Sequence, residues 1–91
     1  MLRIDLIALT PQQAVLQIAG RLANGEVAFL EEEMCRWRDQ AEQIILDLKG
    51  VKFIDRAGIS MLKESMGTRL ILRDGSRFIK TLLEAHGLEA H

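Results

Sequence analysis

The chain has 91 residues, 48 % of them hydrophobic and 27 % charged, and its twelve Lys and Arg against thirteen Asp and Glu leave a net charge of −1. This is the composition of one globular domain over residues 1–91, not of a disordered chain. Nucleic-acid binders carry a basic excess for phosphates, so no nucleic-acid partner is expected. A single cysteine excludes an internal disulfide.

A small secreted domain would ordinarily need disulfide staples. No apolar run reaches the ~20 residues of a membrane-spanning helix, and the charges in MLRID leave no signal-peptide apolar region. The expectation is a cytoplasmic domain without membrane insertion. Cys35 reads as a buried thiol. Only His86 and His91 could join it on a metal, but both are remote in sequence and no Cys-x-x-Cys or His-x-x-x-His spacing exists, so no metal site is expected. Charge is uneven along the chain: residues 1–48 carry four basic and eight acidic side chains, net −4, and residues 49–91 carry eight and five, net +3. Glu31, Glu32 and Glu33 fall on one predicted helix and read as a solvated face.

Leu2 to Leu9 predicts a strand with Leu2, Ile4 and Leu6 on one face and Arg3 and Asp5 on the other. Thr10-Pro11-Gln12 ends it. Ala14 to Leu22 predicts a second strand, and the short connection makes the pair an antiparallel hairpin. Asn24, as N-cap, then opens a helix with Glu26 in its first turn. Val27, Leu30, Met34, Trp37 and Ala41 form its apolar stripe, Phe29 falls outside it, and Glu32 and Arg36 are spaced to pair on the outside.

The run QIILDL, Gln43 to Leu48, suits a strand buried on both faces. Lys49-Gly50 interrupts it, and Val51 to Ile54 continues extended. Asp55 precedes a short helical pattern of Ile59, Leu62, Lys63 and Met66, stopped by Gly67. Thr68 to Arg73 predicts a further strand and Asp74-Gly75 a turn. Ser76 caps a last helix with apolar positions Ile79, Leu82, Leu83 and His86, closed by Gly87 as C′ residue and Leu88 as its hydrophobic contact. The class is therefore α/β: a mixed four- to five-stranded sheet opening with a β-hairpin, followed by βα units with three helices. In such sheets functional loops sit at the carboxyl ends of the parallel strands, which here carry residues 49–58.

The most specific stretch is ILDLKGVKFIDRAG, Ile45 to Gly58. It resembles the STAS domain, the module shared by sulfate transporters and anti-sigma factor antagonists. That family's signature is an aliphatic strand ending in Asp, a small linker, a hydrophobic pair, then Asp-Ser-Ser-Gly or Asp-Thr-Ser-Gly. Asp47, Gly50, Phe53, Ile54, Asp55 and Gly58 match it. The tail SRFIKTLLEAHGLE, Ser76 to Glu89, is similar to the family's last helix followed by Gly-Leu, so the resemblance covers essentially the whole chain.

The resemblance implies a non-catalytic regulatory interaction module. The family's soluble members bind a kinase-type anti-sigma factor through the surface around the Asp-Ser-Ser-Gly loop, which corresponds here to Asp55, Arg56, Ala57, Gly58 and Ile59. Two departures stand out, one within the motif and one in the helix that follows it. The second Ser of the motif, the phosphate acceptor in sporulation anti-anti-sigma factors, aligns with Ala57, which has no hydroxyl; a phosphate would bring ~1.5–2 negative charges. Arg56 replaces the first Ser and adds a positive charge. The helix after Gly58 is also about two turns shorter than is usual for the family. Small STAS proteins also serve as cytoplasmic subunits of ABC transporters for phospholipids, gripping the ATPase subunit, and non-phosphorylatable STAS units could pack as scaffolds of stress-sensing assemblies. Homodimerisation is left open.

Other readings of these residues are weaker. Asp55 reads as an N-cap before any direct chemistry. Gly50 and Gly58 read as backbone permissions, since neither a P-loop nor a Gly-x-Gly-x-x-Gly pattern is present and no cofactor is expected. Ser60 reads first as an ordinary helix serine and second as a relocated phosphate acceptor. Ser65, Ser76 and Thr68 read as surface, cap and strand residues. Asp47 could imitate a receiver-domain phosphoacceptor, but Asp5 lies on a hairpin strand and only three helices exist. His86 sits on an apolar stripe, and Trp37, Met34, Met61 and Met66 are core fillers. No nucleophile, base and orienting group can be named together, so no catalytic residue is assigned.

Overall fold

Thr10 turns the chain between the first two strands. Its hydroxyl accepts from the N–H groups of Gln12 (3.2 Å) and Gln13 (3.1 Å), while its own N–H donates to the Gln13 carbonyl at 2.8 Å. A Thr side chain can thus stand in for backbone partners at a turn that Pro11 cannot extend. In this computed structural model, which describes residues 2–65 and 69–90, the turn joins β1 (Leu2–Leu9) to β2 (Gln13–Leu22) as an antiparallel hairpin. There follow α1 (Glu26–Arg38), β3 (Gln43–Ile54), α2 (Arg56–Ser65), β4 (Leu70–Arg73) and α3 (Arg77–Ala85). The sheet order is β1-β2-β3-β4, with β2–β3 and β3–β4 parallel. The fold is the expected mixed α/β sheet with three helices, and the strand number resolves to four.

The reason lies at Lys49-Gly50. The two residues do not break the strand; β3 runs through them with a register shift, Gln17 pairing with Asp47 but Ala19 with Gly50. Such a bulge leaves an N–H outside the ladder. Asp47, 7 % exposed, accepts the Lys49 N–H at 2.9 Å. One oxygen of its carboxylate is therefore engaged in the strand irregularity. A Cβ on Gly50 would stand 2.8 Å from the Cβ of Ala19, so the close approach of β2 and β3 requires glycine there.

All three helices feed one core. Leu30 and Met34 of α1, Ile59, Met61 and Leu62 of α2, and Ile79 and Leu83 of α3 join Leu16, Ile18, Leu46, Leu48, Leu70 and Leu72 in a single buried cluster. Strand side chains alternate faces, so Val15 and Ile45, buried but outside that cluster, belong to the opposite face of the sheet. The last helix is capped at both ends as its sequence predicts. Ser76 Oγ accepts the Ile79 N–H at 3.2 Å, Gly87 (φ 79°) donates to Glu84 O, and Leu88 donates to Leu83 O at 2.9 Å. These two carboxyl-end bonds form a Schellman motif, and Leu88 is buried in the same cluster as Leu83.

Several expectations change. Cys35 is exposed, because α1 buries only Leu30 and Met34 and Cys35 lies one step, ~100°, round the helix from Met34. His86 is exposed because α3 ends at Ala85 and the chain leaves the stripe there. Ser65 is buried, its hydroxyl 3.7 Å from Met61 Sδ. Arg36 meets Glu33 at 3.6 Å and not Glu32. Helix α1 ends before Ala41. Phe29 is exposed as expected. The readings of Met66, Gly67, Thr68 and His91 fall outside the described residues. No described helix is long and apolar enough to cross a membrane.

Candidate functional site

The parallel strands β2 and β3 end side by side, Leu22 pairing with Ile54. The chain leaves β2 for α1 through Ala23-Asn24-Gly25, and leaves β3 for α2 through Asp55 alone. Asp55 joins these two exits. Its N–H donates to Leu22 O at 3.0 Å, its Oδ1 accepts the Gly58 N–H at 2.8 Å, and its Oδ2 accepts the Asn24 N–H at 3.0 Å. The Gly58 bond makes Asp55 the N-cap of α2, with a negative charge at the positive end of the helix dipole. The Asn24 bond reaches across 31 positions of sequence to hold the other turn.

These donors decide the state of the carboxyl. The Gly58 N–H first, and the Asn24 N–H second, hold Asp55 below the ordinary aspartate range, against a smaller opposing effect of desolvation. Hydrogen bonds to the charged form favour that form. The carboxylate is ionised at neutral pH, and both of its oxygens are engaged with the protein's own backbone.

Asn24 therefore does other work than the sequence suggests. The N-cap position of α1 belongs to Gly25, which has helical backbone angles and provides no side-chain bond. Asn24 instead takes the left-handed conformation, φ 53°, which Asn tolerates better than most residues. Nothing in the local pattern pointed to its bond with Asp55, which is a tertiary contact.

The structure divides the five sequence-assigned docking residues into two sets. Arg56 and Ala57 are exposed on the first turn of α2, with Ser60 exposed one turn further on. Asp55 is half-buried, and Gly58 and Ile59 are buried, Ile59 at 3 % exposure. A Cβ on Gly58 would meet Ile54 Cγ2 at 2.8 Å and Leu22 O at 3.0 Å; glycine lets α2 start directly against the strand ends. Gly58 and Ile59 thus support the turn from within. One neighbouring contact escaped the sequence reading: Arg21 lies with its guanidinium carbon 5.0 Å from the centre of the Phe53 ring, across the β2–β3 pair. Facing cation and ring in this way are mutually attractive.

A separate open cleft of about 430 Å³ lies between α1 and α2, lined by Glu31, Glu32, Cys35, Arg38, Glu64 and Ser65. It sets a thiol among three carboxylates and a guanidinium, with no imidazole in its lining among the described residues.

The chain matches the family model of the STAS domain over residues 6–91. No curated protein matches it significantly. Solved structures of similar fold include the anti-sigma factor antagonist SpoIIAA in its unphosphorylated form, with a TM-score of 0.77 and 19 % identity over 94 % of this chain and 82 % of that one. The Bacillus cell fate determinant SpoIIAA in the phosphorylated form gives 0.69 and 19 % over 94 % and 85 %. The STAS domain of an antisigma-factor antagonist from Rhodobacter sphaeroides gives 0.51 and 13 % over 98 % and 82 %. At these identities the structures establish likeness of fold, and the family match, which runs through the Asp55 turn and nearly the whole chain, establishes membership: the chain belongs to the STAS domain family.

Proposed function

We propose that this STAS domain is a non-catalytic cytoplasmic regulatory module that docks onto a kinase-type anti-sigma factor through the first turn of α2. One observation carries the reading. Asp55 fixes the turn with three hydrogen bonds while Arg56, Ala57 and Ser60 remain exposed above it. A turn pre-organised by such bonds loses little freedom on binding. The structural neighbours named as anti-sigma factor antagonists share this fold, and one of them is named in a phosphorylated form. Here Ala57 stands at the position aligned with the family's acceptor serine, so the turn operates without a phosphate switch at that residue. Ser60, although exposed, sits one turn deeper along the helix.

Binding of the purified partner, measured by calorimetry, tests the reading. Ala57→Glu, which brings charge to the acceptor position, weakens binding by at least ~10-fold, as expected for a change at the centre of a small interface. Undiminished affinity would remove this surface from consideration. Incubation with the kinase leaves Ala57 unmodified, and mass spectrometry that found phosphate on Ser60 would restore a switch in a shifted position.

A further inference from the structure

Strand β1 is an outer strand. β2 pairs with its inner edge, Ala90 bridges Leu72 beyond the opposite end of the sheet, and among the described residues nothing pairs with the outer edge of β1. Unpaired edges are templates for another strand, and proteins that avoid pairing place Pro, Lys or a bulge there. Leu2–Leu9 contains neither Pro nor Lys. Its register irregularity lies between Leu6 and Ala8, leaving Leu2–Leu6 regular. Leu6, Ile7 and Leu9 are 38 %, 51 % and 42 % exposed, the largest run of exposed apolar side chains among the described residues.

The regular part reads Leu-Arg-Ile-Asp-Leu. Leu2 and Ile4 pack with the core, and Leu6 shares their face by alternation. Arg3 and Asp5 lie on the other face, their side chains 79 % and 46 % exposed and 3.0 Å apart. This pattern is self-complementary. We infer that β1 is a dimerisation edge, two copies of the chain pairing antiparallel through Leu2–Leu6 about a two-fold axis at Ile4. Ile4 then faces the second copy's Ile4, Leu2 faces its Leu6, and Arg3 faces its Asp5, the last two pairs each occurring twice. Cross-strand pairs of like chemistry on one face and opposite charge on the other stabilise a ladder.

Neighbouring registers fail on the same grounds. An axis at Arg3 or Asp5 sets Arg3 against Arg3 or Asp5 against Asp5. A slip of one residue places the apolar set against the charged set. An axis at Leu6 drives the ladder through the irregularity at Ile7. The contact uses the same patch on both copies, so it closes at two, and it joins the two sheets into one while covering Leu6. It is independent of the turn at Asp55.

Light scattering and sedimentation of the intact chain, from low to high micromolar, test it. The expected result is a monomer–dimer equilibrium. Arg3→Asp alone and Asp5→Arg alone each weaken it at least ~10-fold by setting like charges opposite, and the double variant restores it because the reciprocal pairs return. In a Cys35→Ser background, Ile4→Cys cross-links two copies on oxidation and Leu6→Cys does not, since its two thiols lie beyond disulfide reach in this register. Unchanged thermal unfolding of the single charge variants at low concentration keeps folding out of the readout. A monomer throughout, a dimer indifferent to both reversals, or a cross-link at residue 6 in place of residue 4 overturns the inference.

Discussion

The starts of α1 and α2 stand side by side at the ends of paired strands, and each contains a glycine, yet they are held by opposite means. Helix α2 is fixed at once: Asp55 caps it, and Gly58 seats its first turn against Leu22 and Ile54. Helix α1 has no side-chain cap, and a Cβ on Gly25 would meet nothing within 4 Å. Its approach is secured from outside, by the Asn24 N–H on Asp55. One carboxylate thus serves two turns, and the less constrained helix depends for its position on the more constrained one.

The largest test of that difference is Gly58→Ala. The added methyl must displace a branched side chain and a backbone carbonyl, at 2.8 and 3.0 Å. Overpacking of this kind costs ~1–3 kcal/mol, and the gain in helix propensity near a first turn offsets only part of it. We expect a loss of about 2 kcal/mol in denaturant unfolding. A neutral outcome would mean that α2 can slide away from Leu22 without cost.

Next comes Asp55→Ala. Loss of an N-cap lowers the unfolding midpoint of a domain this size by ~4–8 °C. The distinguishing readout is hydrogen exchange. Gly58 and Asn24 should lose protection together, although they are 34 positions apart. Loss at Gly58 alone would show that the two turns are independent.

That shared carboxylate also marks where sequence reading stopped. The elements were legible because their signals are local: strand alternation in Leu2–Leu6, the buried run Gln43–Leu48, the Ser76 cap and the Gly87-Leu88 ending all appear where the pattern put them. Asp55 as an N-cap was legible for the same reason. Its second bond was not, since it links residues 31 apart. Ser65 was misread by taking chemistry over spacing: it lies four positions after Met61 and three after Leu62, on the buried face of α2. Cys35 was misread in the same way, by the habit of its residue type. At the candidate docking turn the residue identities were readable, but the division into exposed Arg56 and Ala57 over buried Gly58 and Ile59 required the helix to be seated.

A smaller effect appears on acidification. Because its folded-state pKa is lowered, Asp55 contributes stability that is complete above the ordinary aspartate value of ~3.9 and is lost as pH falls through the lower folded value. Asp55→Asn keeps a capping oxygen but removes this titration. The thermal midpoint of the native chain should exceed that of the variant near neutrality, and the gap should close below about pH 4. A gap that stays constant down to strong acid would show that the two N–H groups do not discriminate between the charged and neutral carboxyl.

The smallest effect is expected where the same methyl is added to the other turn. At Gly25 the backbone is already helical, φ −64° and ψ −16°, and alanine adopts those angles without strain. Replacing glycine there reduces the freedom of the unfolded chain, a gain of ~0.4–1 kcal/mol, while glycine's modest preference over alanine at an N-cap works the other way. Gly25→Ala should therefore change stability by no more than ~0.5 kcal/mol in either direction. Measured beside Gly58→Ala in one urea series, it separates what the two glycines do. If both substitutions cost alike, the difference between the turns is not one of packing against Leu22 and Ile54. If only Gly58→Ala costs, then glycine at the start of α2 answers to the close approach of a strand, and glycine at the start of α1 answers only to the turn that Asp55 holds from the neighbouring strand end.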